Sequence, residues 1–88
     1  MPEPHQFRKL VDSTGLLERK RHWELETGTE WPHSVAEAWA WSVRDIVAGR
    51  DVASGHAPTY PEADRRAQAA LEQAEDQEAE RLAAELAG

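Results

Sequence analysis

Glycine and proline residues divide this chain into four short segments, and that division constrains its fold more than any other feature. Turn-forming residues occur at Gly15, at 27–29 and across 49–61. Between these turns no segment shows the sustained alternation that predicts strands, whereas apolar residues recur at helical spacing. The predicted helices span about 4–11, 14–26, 33–48 and 60–87. They predict an all-α fold, a single domain over 1–88 built as a small bundle of three to four helices.

Capping residues mark the start of two of these helices. Ser34 and Glu37 have the spacing of a capping box, and Gly49 supplies a stop, so the third helix is the best defined. Thr59 and Glu62 have the same spacing at the start of the last helix. The chain is therefore expected to re-enter a helix after the glycine- and proline-containing loop.

The last predicted helix is long, acidic and poor in apolar residues. Its helix propensity is high, but its apolar stripe is thin and interrupted. We expect its second half, from about Glu75, to project into solvent. The alternative is that the acidic run Glu75-Asp76-Gln77-Glu78 docks on a basic partner surface.

Composition excludes several functional classes. The chain carries 17 acidic residues against 10 Lys and Arg, a formal net charge of −7, which argues against nucleic-acid binding. No apolar run approaches the roughly 20 residues that span a bilayer. Residues 1–4 lack the charged start and apolar core of a signal peptide. We therefore expect a cytoplasmic protein that contacts neither nucleic acid nor membrane.

Histidines and cysteines give no pattern of a metal site. His5, His22, His33 and His56 lie in four different segments, and none is four residues from another histidine. The chain contains no cysteine, which excludes thiolate ligands and thiolate catalysis. We expect no metal, no cofactor and no independent catalysis in this chain.

Four tryptophans indicate an interface. On a helix over 33–48, Trp39 and Trp41 point roughly 200° apart and so cannot face one core. Trp39 is expected to pack inward, which leaves Trp41 with Ala38 and Ala48 on a second face that a partner covers. Trp23 is a further candidate interface residue. The alternative is that Trp41 lies under the N-terminal helix or the loop.

The predicted core is small. Its members are Phe7, Leu10, Leu16, Leu17, Val35, Trp39, Val43, Ile46 and Leu71. A core of this size predicts a chain that is marginally folded without a partner.

Three elements in order resemble the helical N-terminal half of the nitrile hydratase β subunit. They are Trp39-Ala40-Trp41, Gly49, and Asp64-Arg65-Arg66-x-Gln68 after a turn. The resemblance covers about 7–68, with a longer connection between the second and third elements. It implies a separate small subunit of a three-chain enzyme, as in thiocyanate hydrolase and toyocamycin nitrile hydratase. Such an enzyme hydrates a nitrile to an amide, and this chain would be its non-metal-binding subunit.

The same resemblance implies partners and a site. The partners would be the metal-binding α subunit, which carries cobalt or iron, and a β-barrel subunit. In that family an arginine of the β subunit donates hydrogen bonds to the oxidised cysteine ligands of the metal, a role suited to a guanidinium. It maps onto Arg21, with Arg19 as second choice. The alternative is that both arginines lie on a solvated helix face.

Two other functions compete with this one. A nitrile hydratase activator, the metal-delivery chaperone, would share these helices but would need a metal-binding tail. A stand-alone helical adaptor would bind an unrelated protein through its tryptophans. A stoichiometric complex with a cysteine-rich, metal-bound chain would indicate the hydratase, transient association would indicate the activator, and neither would indicate the adaptor.

Overall fold

The chain folds as a three-stranded antiparallel sheet with one long helix packed on it, not as an all-α bundle. The computed structural model describes residues 5–87, so 1–4, which bear on the signal-peptide prediction, and 88 lie outside the described residues. In chain order the elements are β1 (Phe7–Ser13), α1 (Leu16–Thr27), β2 (Trp39–Asp45), β3 (Arg50–Ala57) and α2 (Tyr60–Ala87). The strand order is β1-β2-β3. The prediction of an all-α fold is therefore wrong.

Three strands were missed: β1 and β2 lie in segments predicted as helices, and β3 lies in the predicted loop. The alternation along β2 is that of a strand. Trp39, Trp41 and Val43 point to one face of the sheet, while Ala40 and Ser42 point to the other. This is a period of two, which suits a strand buried on one side. The segment 33–48 was predicted as a helix because the capping-box spacing before it resembles a helix start. Predicted helix 4–11, whose first residue lies outside the described part, corresponds to β1.

The turn between β2 and β3 explains why a helix stop was inferred there. Asp45 Oδ1 accepts the backbone N–H groups of Val47 and Ala48, each at 3.0 Å. Gly49 closes the turn with φ 72°, a conformation that favours glycine, and its N–H donates to the Asp45 carbonyl at 2.8 Å. A glycine in this conformation ends a helix or closes a hairpin, and here it closes a hairpin.

Helix α2 packs on the sheet through small side chains. Ala63 and Ala67 are completely buried, and Ala70 and Ala74 continue the same face as half-buried residues. Alanine leaves little bulk between the two layers, so the helix backbone approaches the strands closely. The helix contacts all three strands. Its bounds match the predicted 60–87, and Thr59 Oγ1 accepts the Glu62 N–H at 3.4 Å, as a capping residue does.

The observed core differs from the predicted one. The completely buried hydrophobic residues within 5–87 are Ala38, Val43, Ala57, Ala63 and Ala67. Of the predicted core, only Val43 belongs to this set, and Leu10, Leu17 and Ile46 are among the exposed hydrophobics. The prediction placed these residues on helix faces, and two of the segments are strands.

The molecule is elongated because both helices extend beyond the sheet. Helix α2 has 28 residues, about 42 Å of helix, whereas a seven-residue strand spans about 23 Å. Residues 83–87 are all exposed, but Glu78, Arg81 and Leu82 are half-buried, so the helix projects from about residue 83 and not from Glu75 as predicted. The structure measures 65 × 19 × 16 Å. Neither helix in residues 5–87 is long and apolar enough to cross a membrane.

Candidate protein-interaction site

Residues 15–37 form an excursion between two adjacent strands. β1 and β2 are antiparallel neighbours, and the excursion leaves and re-enters the sheet at one point, where the Thr14 N–H donates to the Ala38 carbonyl at 3.0 Å. Two residues suffice to connect such strands. The excursion is far longer than the connection requires, and segments that extend from a rigid scaffold are common places for binding residues. The excursion is therefore a candidate binding site.

Helix α1 occupies most of the excursion and buries none of its residues. It begins after Gly15 (φ 78°), and it ends at Gly28 (φ 67°), whose N–H donates to the Glu24 carbonyl at 3.0 Å. Among the described residues, no other element packs extensively against it. A 12-residue helix without tertiary packing is marginal in water. Its surface is thus available to another molecule.

Aromatic side chains hold the excursion together. The Trp23 and Trp31 rings meet edge to face with centroids 6.0 Å apart, and the His33 ring lies 5.6 Å from Trp31. The Trp23 Nε1–H donates to the Glu30 carbonyl at 3.4 Å. Trp31 Nε1 is buried without an acceptor among the described residues, which costs roughly 1–3 kcal/mol.

A groove of about 480 Å³ runs between α1 and this aromatic pair. We call it the α1 groove; its lining residues are Gly15, Glu18, Arg19, His22, Trp23, Glu26 and Trp31. Trp23 remains 39% exposed, and Leu25, on the same helix, is 77% exposed. His22 Nε2 lies 3.1 Å from Glu26 Oε1 at the groove wall. The groove combines an aromatic floor with a charged rim, which is typical of a protein-binding surface.

Arg19 and Arg21, the predicted catalytic arginines, both lie exposed on α1. The Arg19 guanidinium lies over Gly15 at the edge of the α1 groove. Within residues 5–87 neither arginine forms an ion pair with an acid, whereas Lys20 Nζ lies 3.8 Å from Glu24 Oε1. This placement brings Arg19, but not Arg21, to the groove.

Trp41, Ala38 and Ala48, the other predicted interface residues, are not brought together. Trp41 and Trp39 face the same side of the sheet, since a strand turns successive side chains by about 180° and the two residues are two apart. The prediction that Trp39 and Trp41 lie on two different faces is therefore wrong, because it assumed that this segment is a helix. Ala38 is completely buried, and Ala48 lies exposed in the β2–β3 turn.

Trp39 packs against α2, and Trp41 packs across the sheet against β3. The Trp39 ring meets Tyr60 of α2 edge to face at 5.3 Å. The Trp41 ring covers Gly55 of β3 so closely that a Cβ there would lie 2.7 Å from Trp41 Cζ2. Their role is structural, and Trp23 is the predicted interface residue that lies in the groove.

The most buried charge lies at the other end of the sheet. Asp45 is only 3% exposed, and its Oδ2 lies 2.6 Å from His5 Nδ1. The hydrogen bond from the Ala48 N–H, aided by His5 and the Val47 N–H, holds the pKa of Asp45 below its usual range. Glu78 accepts the His5 N–H at 3.3 Å and pairs with Arg81, whose hydrogen bond lowers the pKa of Glu78. Asp45 thus fixes the β2–β3 turn, and Glu78 joins α2 to His5, just before β1.

Comparisons of the chain with known protein families, with curated proteins and with solved structures found no match. The three elements that resemble nitrile hydratase lie on β2, in the hairpin turn and on α2. The helical architecture implied by that resemblance is not the one observed. The subunit assignment, its cobalt or iron partner and its β-barrel partner thus stay predictions without support. No group of three or more His, Cys, Asp or Glu in the described part of the chain could hold a metal ion.

Proposed function

We propose that this chain is a protein-interaction module that binds a partner protein through the α1 groove. The observation that carries the proposal is the exposed helix α1, which sits on an excursion between two adjacent strands and buries no residue. The sheet and α2 form the scaffold that presents it. This proposal is the adaptor function that competed with nitrile hydratase in the sequence analysis. The scaffold is a mixed α/β fold and not the helical one expected there.

The composition of the groove supports a protein as its ligand. Tryptophan and arginine are the residue types that dominate binding energy at interfaces. Trp23, Trp31 and Arg19 meet in the groove. An apolar side chain of a partner would bury the exposed part of Trp23. Ordering α1 on binding would recover the packing that the helix lacks.

The overall charge favours a basic partner. A net charge of −7 attracts a positively charged protein at long range and repels an acidic one. At the rim of the groove two acids, Glu18 and Glu26, outnumber the one arginine, Arg19, so the groove itself is also acidic. The partner chemistry that fits is an apolar segment flanked by Lys or Arg.

The test measures affinity for a purified partner with matched variants. A protein captured by the full-length chain is identified, purified and titrated against wild-type, Trp23→Ala and Leu86→Ala chains. Trp23→Ala should raise Kd by about 30-fold, the effect of losing roughly 2 kcal/mol of interface energy. Leu86, which is 85% exposed on α2, lies outside the groove, so its truncation should leave Kd unchanged. Equal effects of the two variants would show that the groove is not the binding site.

Salt provides a second readout. Raising the ionic strength should weaken binding mainly through the association rate, because the attraction between an acidic chain and a basic partner is screened. A Kd that is independent of salt would contradict a basic partner while leaving the α1 groove as the site.

A further inference from the structure

We propose that two copies of this chain pair through their β1 edges to form a continuous six-stranded sheet. The β1 edge lies outside the surface that the proposed function uses. Three features of the chain favour this pairing: the state of the two sheet edges, the direction of the backbone groups of β1, and the charges of β1. The occupant of the β1 edge is a second copy of the same chain in antiparallel orientation.

Only one of the two sheet edges is well suited to pairing. The β3 edge has a register shift opposite Val43 and Arg44, where Val52 is the extra residue. Near its other end, Arg66 Nη1 of α2 donates to the His56 carbonyl at 2.7 Å. Bulges and covered backbone groups are the means by which edges avoid pairing. β1 pairs with β2 over all seven residues without a shift, so its outer edge is regular.

Hydrogen bonds at both ends of β1 show which of its backbone groups face outward. The Thr14 N–H donates to Ala38 at 3.0 Å, and the Gln6 carbonyl accepts the Ile46 N–H at 2.9 Å. Even-numbered residues of β1 therefore bond to β2, and the backbone groups of the odd-numbered residues Phe7, Lys9, Val11 and Ser13 point to the edge. The outward N–H of Ser13 donates to its neighbour Asp12 at 3.0 Å, as an amide without a partner strand would.

The side chains of β1 are self-complementary about Leu10. Arg8, Leu10 and Asp12 lie on the sheet face opposite α2. In an antiparallel pair centred on Leu10, Arg8 of each copy stands opposite Asp12 of the other, and the two Leu10 side chains meet between them. Lys9 pairs with Val11 of the other copy through the outward backbone groups. The register that satisfies the backbone is thus also the register that matches the charges.

The same residues are poorly matched within one chain. Arg8 lies opposite Arg44 on β2, and like charges directly opposite in a sheet are unfavourable. Arg44 already has its own partners, Asp51 Oδ1 at 3.4 Å and the Gly49 carbonyl at 3.1 Å. Leu10 is 41% exposed and has Ser42 as its cross-strand neighbour. Pairing of two β1 strands gives Arg8 an opposite charge and Leu10 an apolar contact.

A single-cysteine variant tests the register directly, since the chain has no cysteine of its own. Residues directly opposite in a non-hydrogen-bonded antiparallel pair have Cα atoms about 4.5 Å apart, within the range of a disulfide. Leu10→Cys should form a disulfide-linked dimer under mild oxidation. The matched control Ser54→Cys, on the same face but on β3, should remain largely unlinked. Linking of both variants alike, or of neither, would overturn the proposal.

Charge reversal tests the same pairing in solution. By analytical ultracentrifugation the full chain should form a dimer. Arg8→Asp and Asp12→Arg alone should each raise its dissociation constant by at least about tenfold. The double variant should restore it, because reversed charges again face each other. A control, Asp51→Arg at the β3 edge, should not change it. Three results would refute β1 pairing. The wild-type chain could be a monomer at all concentrations, the double variant could fail to restore the dimer, or Asp51→Arg alone could dissociate it.

Discussion

Gly55 is a residue at which one added methyl group should lower the stability of the fold. The Trp41 ring lies across it, and an added Cβ would meet Cζ2 at 2.7 Å and Nε1 at 2.9 Å. The Trp41 Nε1 is buried, so relief of this clash requires a buried ring to move. The close approach of ring and backbone fixes the position of Trp41.

Gly55→Ala should therefore destabilise the chain by about 1–3 kcal/mol, the usual cost of overpacking. Ser54→Ala changes the adjacent exposed residue on the open face and should stay within about 0.5 kcal/mol of wild type. Urea denaturation of both variants measures the difference. Equal stability of Gly55→Ala and wild type would show that the ring does not need this space.

Asp45 makes the fold sensitive to acid. Its pKa is lower in the folded chain than in the unfolded one, first because of the Ala48 N–H, so the folded state binds fewer protons. The stability that it contributes is complete above its unfolded pKa and is lost as the pH falls through the lowered folded value. Glu62, whose pKa is lowered by its hydrogen bond from Arg65, acts in the same direction.

Thermal denaturation from pH 6 to pH 2 should show the melting temperature falling below about pH 4. In Asp45→Asn the melting temperature should be lower at pH 6 and should fall less on acidification. Asp51→Asn, at an exposed carboxylate of β3, is the control and should follow the wild-type profile. An Asp45→Asn profile parallel to that of the wild type would rule out Asp45 as a main source of acid sensitivity.

At the scale of elements, both helices could be predicted from the sequence but the strands were missed. Helix signals are local: the Thr59 cap and the glycines around α1 act on neighbouring residues. In β1 the inward face contains Lys9, which breaks the apolar alternation. Lys9 faces inward because its ammonium pairs with Asp64 at 2.9 Å and Gln68 at 3.0 Å, and both lie far away in sequence.

The functional site was only partly predictable for a related reason. Trp23 was a candidate interface residue, and it lies in the groove. Trp31 was not, because its contact with Trp23 depends on how the chain turns back after Gly28. A long connection between two antiparallel strands marks the excursion, but only once the strands are known.

The excursion should be separable from the scaffold. Replacing residues 15–37 with Asn-Gly gives a two-residue hairpin between Thr14 and Ala38, which are already hydrogen-bonded neighbours. We expect this variant to melt cooperatively, within several degrees of the full chain, and to lose partner binding. Circular dichroism and titration measure the two properties. Unfolding of the variant would show that the excursion is part of the core.

At the scale of the whole molecule, a narrow scaffold carries two projecting helices. The largest completely buried side chain in residues 5–87 is Val43, and the rest of the buried hydrophobic core is alanine. Such a core supports the sheet and the first part of α2 and leaves nothing to hold α1 against them. The molecule therefore consists of a scaffold of defined stability and a helix, α1, of low stability.

Hydrogen exchange of the isolated chain tests this division most directly. Backbone amides of β2, the central strand, should exchange slowly, only through opening of the whole scaffold. Amides of α1, from Leu16 to Thr27, should exchange close to the rate of an unprotected helical peptide, because no other described helix or strand packs extensively against α1. Protection of α1 equal to that of β2 would contradict the account, since the helix would then be part of the folded core.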